Sequence, residues 1–313
     1  MSIVISEFMD AAAVDSLRAS FSTHYDPTLV DAPERLRALL PQARALIVRN
    51  RTQVDAALLA AAPQLEVVGR LGVGLDNIDV DACWQRGIAV HPASGANARA
   101  VAEYVIAASL LGLRGAFGRS GDVAAGQWPR PAMSEGREAG GKTLGLVGFG
   151  DIGQLVARLA RALGLRVVAH DPAYPNDAAL WSAQGVTPLG LTSLLAQSDV
   201  VSLHLPLSAA TRGLFSRNTL ARIKPGAILI NTARGGIVDE AALADALRNG
   251  RLGGAAIDVF GQEPLLAGSP LAGLPNVWLT PHIAGLSAEA NSRVGALIAE
   301  RVITTLNQPK EQA

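Results

Sequence analysis

Short aliphatic runs alternate with helix-like patterns along almost the whole chain, and this alternation limits the fold more than any other feature. "IVIS" at 3–6, "ALIV" at 45–48, "EVVG" at 66–69 and "IAV" at 88–90 read as strands. Helix-like segments lie between them, around 10–19, 54–61 and 79–86. A long helix pattern follows from Ala98 to Leu113, ended by Gly115. After a looser stretch, Ser120 to Gly141, a second alternation begins with "TLGLVGFG", "RVVAHDP", "DVVSLHLP", "AILINTARG", "GGAAIDVF" and "NVWLTPH". A last helix pattern spans 288–306. Strand-then-helix alternation predicts α/β architecture with parallel sheets, and 313 residues suit about two domains. Hydrophobic residues make up 49% of the chain and aromatics only 4%, which suits helices packed on parallel strands and excludes disorder.

Lysine plus arginine equals aspartate plus glutamate, 27 each, so no net field points to nucleic acid or an anionic membrane. No stretch reaches the ~18 to 20 apolar residues of a membrane span. "MSIVISEF" lacks the basic start and apolar core of a signal peptide, and Cys83 is the only cysteine. The expected compartment is the cytoplasm. Cys83 reads as a small buried residue, and no metal site is expected.

Gly148, Gly150 and Gly153 have G-x-G-x-x-G spacing. The pattern gains meaning from its setting: it follows an apolar run, opens an amphipathic helix, and has Asp171 18 positions beyond its last glycine. Gly148 permits a tight turn, Gly150 lets a pyrophosphate approach, and Gly153 lets helix pack on strand. The helix N-terminus attracts phosphate, and Asp171 accepts hydrogen bonds from a ribose. The expected cofactor is NAD, because a 2′-phosphate would meet the Asp171 carboxylate and no arginine follows it directly.

Three further polar residues each follow a strand-like run: Arg234, Glu263 and His282. An arginine is always charged and is costly to bury without an anion. Arg234 therefore reads either as a solvated turn residue or as the partner of a ligand anion. A carboxylate and an imidazole at neighbouring strand ends suit an acid–base pair, with Glu263 orienting His282.

At these residues the chain resembles a known family, the D-isomer-specific 2-hydroxyacid dehydrogenases. The resemblance rests on "GRLGVGLDNID" at 69–79, "NARAVAEY" at 97–104, "GLVGFGDIG" at 145–153, "INTARGGIVDE" at 230–240, "AAIDVFGQEP" at 255–264 and "LTPHIAG" at 279–285. It implies that Arg234 binds the substrate carboxylate and carbonyl, that Glu263 supports the acid–base residue His282, and that Asp258 holds the nicotinamide carboxamide. Val73 and Gly74 would offer backbone N–H groups to substrate. Asp151, Ile152, His204, Pro206, Thr211, Thr232, Ala233, His282 and Gly285 would complete the cofactor contacts. Asp151 departs from the basic residue many members carry there, which puts cofactor affinity in doubt while suiting the helix dipole.

The resemblance also implies a Rossmann-type nucleotide domain, 98–286, inserted into a flavodoxin-like substrate domain, 1–97 and 287–313, with substrate in the cleft. It implies a homodimer in which the helix from Ala98 and the loop around Trp128 reach the partner. The expected activity interconverts a small D-2-hydroxyacid and its 2-oxoacid. "ALIVRNRTQV" is similar to V-R-S-x-T segments of phosphoglycerate dehydrogenases, and with "ISEFMD" it also resembles the (S)-sulfolactate dehydrogenase branch. On an extended segment Arg49 and Arg51 would share one side and converge on a second anion at C3 of the substrate. Two readings compete: a glyoxylate or hydroxypyruvate type of reductase, and a non-catalytic NAD(H)-sensing scaffold like the corepressors of this fold.

Overall fold

The computed structural model describes residues 2–308. Its contacts divide into two units: residues 1–97 with 285–313, and residues 98–284. Among the described residues no helix is long and apolar enough to cross a membrane.

The first unit carries five parallel strands: β1 (Ile3–Ile5), β2 (Thr23–Tyr25), β3 (Ala45–Val48), β4 (Val67–Arg70) and β5 (Ala89–Pro92). Their order is β2-β1-β3-β4-β5, the flavodoxin-like arrangement, with the order reversing between β1 and β3. Strands β1, β3 and β4 are buried along their whole length, which is why β1 and β3 read as unbroken apolar runs; β4 ends in the buried Arg70. Side chains alternate between two cores, as strand geometry requires. Ile3, Ile5 and Ile47 face the helices Ala11–Ser20 and Ala288–Asn307. Val4, Leu46, Val48 and the buried Cys83 lie in the opposite core. Each such fully buried aliphatic side chain contributes roughly 1.5–3 kcal/mol.

The second unit carries β6 (Thr143–Val147), β7 (Arg166–His170), β8 (Thr187–Pro188), β9 (Val200–Leu203), β10 (Ala227–Asn231), β11 (Leu252–Ile257) and β12 (Val277–Leu279). All are parallel in the order β12-β11-β10-β9-β6-β7-β8. Read from β6, this is the Rossmann winding: the chain goes outward to β7 and β8, returns to β9, and continues to β12. Leu144, Leu146, Ile228 and Ile230 pack with the helices Ala98–Arg114 and Asp151–Ala162. Leu203, Leu229 and Ile257 face the helices Leu191–Gln197 and Glu240–Arg248. The stretch after Gly115 forms two short helices, Ser120–Ala124 and Arg130–Met133, neither with a buried residue.

One local expectation is corrected. The chain does not stay extended through Arg49 and Arg51: β3 ends at Val48 and residues 50–52 bend. The buried Glu7 carboxylate causes this, accepting the backbone N–H groups of Arg49 (2.8 Å), Thr52 (3.0 Å) and Arg51 (3.2 Å). The two arginine side chains diverge: Arg51 pairs with Asp31, and Arg49 reaches Phe8 and Asn291.

Candidate active site

Strand order explains how distant residues become neighbours. β10, β11 and β12 lie side by side, so the loops at their carboxyl ends are adjacent, and these carry Arg234, Glu263 and His282 respectively. Glu263 Oε2 lies 2.7 Å from His282 Nδ1, with the two side chains about one-third exposed (29% and 33%). Glu263 Oε1 also accepts the Phe260 N–H at 3.0 Å. Burial pushes this carboxyl up, but the His282 and Phe260 hydrogen bonds and the charges of His282 and Arg234 outweigh it. The carboxyl is held below its usual range.

The Arg234 loop is set by a residue that the sequence did not single out. Asn231 is buried at the end of β10, and its side chain accepts from the Ala233 N–H (3.1 Å) and donates to the Arg234 carbonyl (3.1 Å). Gly235 lets this loop lie against the next one, because a Cβ there would stand 1.7 Å from the Phe260 carbonyl oxygen. The Arg234 guanidinium donates to the Ala233 carbonyl at 2.6 Å. A strand that ends in "NTARGG" carried this signal: an amide beside a glycine pair is a turn device.

The fingerprint glycines sit at the switch point between β6 and β9. Gly148 has φ +97°, and a Cβ there would meet the His204 carbonyl oxygen at 2.2 Å. A Cβ on Gly153 would meet the Gly148 carbonyl oxygen at 2.7 Å, whereas one on Gly150 would meet open space. Gly150 precedes the helix Asp151–Ala162 and supplies no side-chain cap, leaving the dipole end to a ligand; Ile152 and the exposed Asp151 lie in its first turn. Asp171, at the end of β7, accepts the Phe149 N–H (2.8 Å) and the Ala173 N–H (2.9 Å). It borders a pocket of about 300 Å³ with His170, Tyr174 and Trp181.

Thr232 Oγ1 is buried and lacks a hydrogen-bond partner, an orphan that a bound ligand would satisfy. An open glycine turn, an uncapped helix start, a ribose-type carboxylate and this hydroxyl together fit a dinucleotide. His204 is half-buried at the end of β9, where burial pushes its pKa down to about 4 and its Nε2 pairs with Ser202 Oγ at 3.0 Å. Thr211 is used locally, donating to the Pro206 carbonyl (2.6 Å) and accepting the Ser208 N–H (2.8 Å). Ala233 is buried in the Arg234 loop. Asp258 is 1% exposed, and its carboxylate accepts from Thr280 Oγ (2.6 Å), Ile283 N–H (2.8 Å) and Ala284 N–H (2.8 Å).

The remaining expected contacts belong to the first unit. Val73 and Gly74 lie on the turn after β4, with Val73 39% exposed, and Gly285 begins that unit's second stretch. The Arg49 guanidinium is half-buried at the carboxyl end of β3. It donates to Asn291 Oδ1 (2.6 Å) and the Phe8 carbonyl (3.3 Å), and lies over the Phe8 ring at 5.6 Å. Both hydrogen-bond acceptors are uncharged. Burial lowers its pKa, partly offset by the Glu7 and Tyr25 charges.

A carboxylate–imidazole pair close enough to feel the Arg234 charge, in a Rossmann unit whose glycine turn fits a dinucleotide, suits a nicotinamide-dependent oxidoreductase of small acids. Residues 106–284 match the family described as D-isomer specific 2-hydroxyacid dehydrogenase, NAD binding domain. The chain is 53% identical over 300 residues to an (S)-sulfolactate dehydrogenase of Chromohalobacter salexigens, covering 96% of each chain. It is 44% identical over 305 residues to a D-3-phosphoglycerate dehydrogenase of Mycobacterium bovis, spanning 96% of this chain but 57% of that one. A D-lactate dehydrogenase of Aquifex aeolicus, solved with NAD and lactic acid, is similar with a TM-score of 0.81 and 26% identity, covering 96% of this chain and 94% of that one. The chain belongs to the D-isomer-specific 2-hydroxyacid dehydrogenase family. It is an NAD-dependent oxidoreductase of hydroxyacids, and the reading as a non-catalytic scaffold is set aside.

Proposed function

We propose that this enzyme interconverts a small D-2-hydroxyacid bearing a second anion at C3, of the 3-sulfolactate type, with its 2-oxoacid. The observation that carries the reading is Arg49: a half-buried guanidinium at the switch point of its sheet, hydrogen-bonded among the described residues to the neutral oxygens of Phe8 and Asn291. A planar guanidinium suits sulfonate or phosphate oxygens, and such charge-assisted bonds are strong. The high similarity to an (S)-sulfolactate dehydrogenase supports sulfonate over phosphate. The stereochemical label is consistent, since a sulfomethyl group outranks carboxylate and turns a D-like arrangement at C2 into S.

The roles follow from chemistry. When bound, the nicotinamide supplies the hydride acceptor or donor. In oxidation His282 takes the hydroxyl proton on Nε2, because its Nδ1 faces Glu263. Glu263 stabilises the resulting imidazolium. In reduction His282 begins protonated and returns that proton to the new alkoxide, while Arg234 polarises the ketone and holds the carboxylate. Val73 and Gly74 steady the substrate carboxylate through their N–H groups, and Asp258 orients the carboxamide. The enzyme works in the cytoplasm as a homodimer, with a second copy covering the exposed Phe117 (73%) and Trp128 (77%).

The test is turnover with NADH on sulfopyruvate, phosphohydroxypyruvate, hydroxypyruvate and glyoxylate, by wild type and Arg49→Ala. Sulfopyruvate is expected to be the best substrate. Losing the Arg49 contact should remove about 1.5 to 3 kcal/mol, roughly ten- to a hundred-fold in kcat/KM, only for the two substrates that carry a second anion at C3. An equal loss on glyoxylate, which has no C3 group, sinks the reading. Glu263→Gln tests the pair through pH. Without the carboxylate the imidazolium is less favoured, so the alkaline limb of reduction and the acid limb of oxidation should both move to lower pH. Unmoved limbs would remove Glu263 from the chemistry.

A further inference from the structure

His282 is the one non-glycine residue with positive φ among the described residues, at +57°. An L side chain seldom adopts that conformation, and it persists only where the surroundings over-determine it. The source of the constraint is visible. Asp258 holds the chain on both sides of His282: its carboxylate takes Thr280 Oγ before the histidine and the N–H groups of Ile283 and Ala284 after it. The His282 N–H itself donates to the carbonyls of Asp258 (2.8 Å) and Thr280 (3.0 Å).

A further layer stands behind this one. The Tyr104 hydroxyl, on the helix Ala98–Arg114, lies 2.6 Å from Thr280 Oγ. A threonine hydroxyl has one proton, and that of Thr280 is committed to Asp258. Tyr104 must therefore be the donor, giving a one-way ladder from Tyr104 to Thr280 to the buried carboxylate. A carboxylate offers about four lone-pair directions, so three internal donors leave room for one more. Asp258 can thus shape the histidine loop and still receive one ligand N–H.

We propose that Thr280 and Tyr104 are positioning residues for His282, acting through Asp258 to hold its backbone in the left-handed conformation with the imidazole facing Glu263. The inference rests on the reading of His282 as the proton carrier. It predicts a fall in kcat without a matching loss of cofactor binding, because a small misplacement of a reacting group can cost on the order of 10²-fold.

The experiment compares wild type, Thr280→Val, Thr280→Ser and Tyr104→Phe, each also in a His282→Ala background. It records kcat and KM with sulfopyruvate and hydroxypyruvate, and NADH Kd by fluorescence. Thr280→Val should lower kcat about ten- to a hundred-fold and leave NADH Kd within about two-fold. Thr280→Ser, which keeps the hydroxyl, should restore most of the rate. Tyr104→Phe should lower kcat about two- to five-fold, and it serves alone if Thr280→Val does not fold. In the His282→Ala background neither should reduce the residual rate further. Unchanged kcat, a loss that persists without His282, or a parallel loss of NADH affinity each overturns the inference while leaving the acid–base reading intact. Wild-type turnover by His282→Ala alone overturns the acid–base reading and this inference with it.

Discussion

Both sheets reverse their strand order once, between β1 and β3 in the first unit and between β6 and β9 in the second, and ligands of open α/β sheets gather at such points. The two points are built by opposite means. At β6/β9 side chains are removed: Gly148, Gly150 and Gly153 bring backbone and helix end close to whatever binds, and no charged side chain stands in the turn before Asp151. At β1/β3 charge is concentrated, with Glu7 and Arg49 ending neighbouring strands. They do not simply neutralise each other, because the Glu7 carboxylate is taken up by three backbone N–H groups and the guanidinium turns towards neutral oxygens. On the proposed reading a pyrophosphate would meet peptide dipoles, while a compact anion would meet a guanidinium. The same topology serves two ligand chemistries.

The largest expected effect comes from adding one methyl group to the glycine turn. Gly148→Ala combines a positive φ with a 2.2 Å approach to the His204 carbonyl, which the backbone cannot relieve by a rotamer change. The conformation alone costs of order 1–3 kcal/mol, before the clash. NADH affinity should fall by two orders of magnitude or more in a fluorescence titration. Near wild-type binding would break the claim that this switch point works by side-chain removal.

Next in size is Glu7→Gln at the other point. The amide keeps one acceptor oxygen but sets its NH2 group against backbone donors, and buried unsatisfied groups cost about 1–3 kcal/mol each. The midpoint of thermal unfolding should drop by several degrees, and the sulfopyruvate preference should shrink as the 49–52 loop loosens. A stable variant that keeps its selectivity would show that the loop holds Arg49 without Glu7.

These two points were unequally legible in sequence. Glycine spacing after an apolar run reports backbone requirements directly, so Gly148, Gly150, Gly153 and Asp171 could be picked out with a mechanism attached. Parallel strands announced themselves as apolar runs because both faces are covered. His282 and Glu263 were visible as polar residues at strand ends, and the order β10-β11-β12 places them at 2.7 Å. The Arg49–Arg51 segment misled because nothing local says that a glutamate 42 residues before Arg49 will bend it. Thr280, Tyr104 and Asn291 make tertiary hydrogen bonds, which have no period or spacing to read.

A smaller effect is expected at Asp171. Asp171→Ala should remove the ribose contact and also leave the Phe149 and Ala173 N–H groups without their acceptor, while the Gly148 N–H keeps its bond to the His170 carbonyl. We expect NAD(H) affinity to fall about ten-fold and the gap to NADP(H) to narrow, the worth of one charged hydrogen bond. Wild-type enzyme that used NADPH as readily as NADH would contradict the role given to this residue.

The smallest effect tests the sharpest detail. Asn291 receives a hydrogen bond from Arg49 at 2.6 Å, from the start of the helix Ala288–Asn307, close in space though 242 residues away in sequence. Asn291→Ala leaves the guanidinium its charge and its Phe8 contacts, so the anion should still be attracted but less well aimed. One orienting bond is worth about 0.5–1.5 kcal/mol, so kcat/KM for sulfopyruvate should fall roughly two- to ten-fold. Glyoxylate, with no C3 group, should be turned over as before. Asn291→Asp sharpens the point: a carboxylate there would neutralise Arg49, and the sulfonate preference should fall further than with alanine. If aspartate and alanine behave alike, Arg49 acts by position alone, and the contrast drawn between a switch point of bare backbone and one of side-chain charge does not hold.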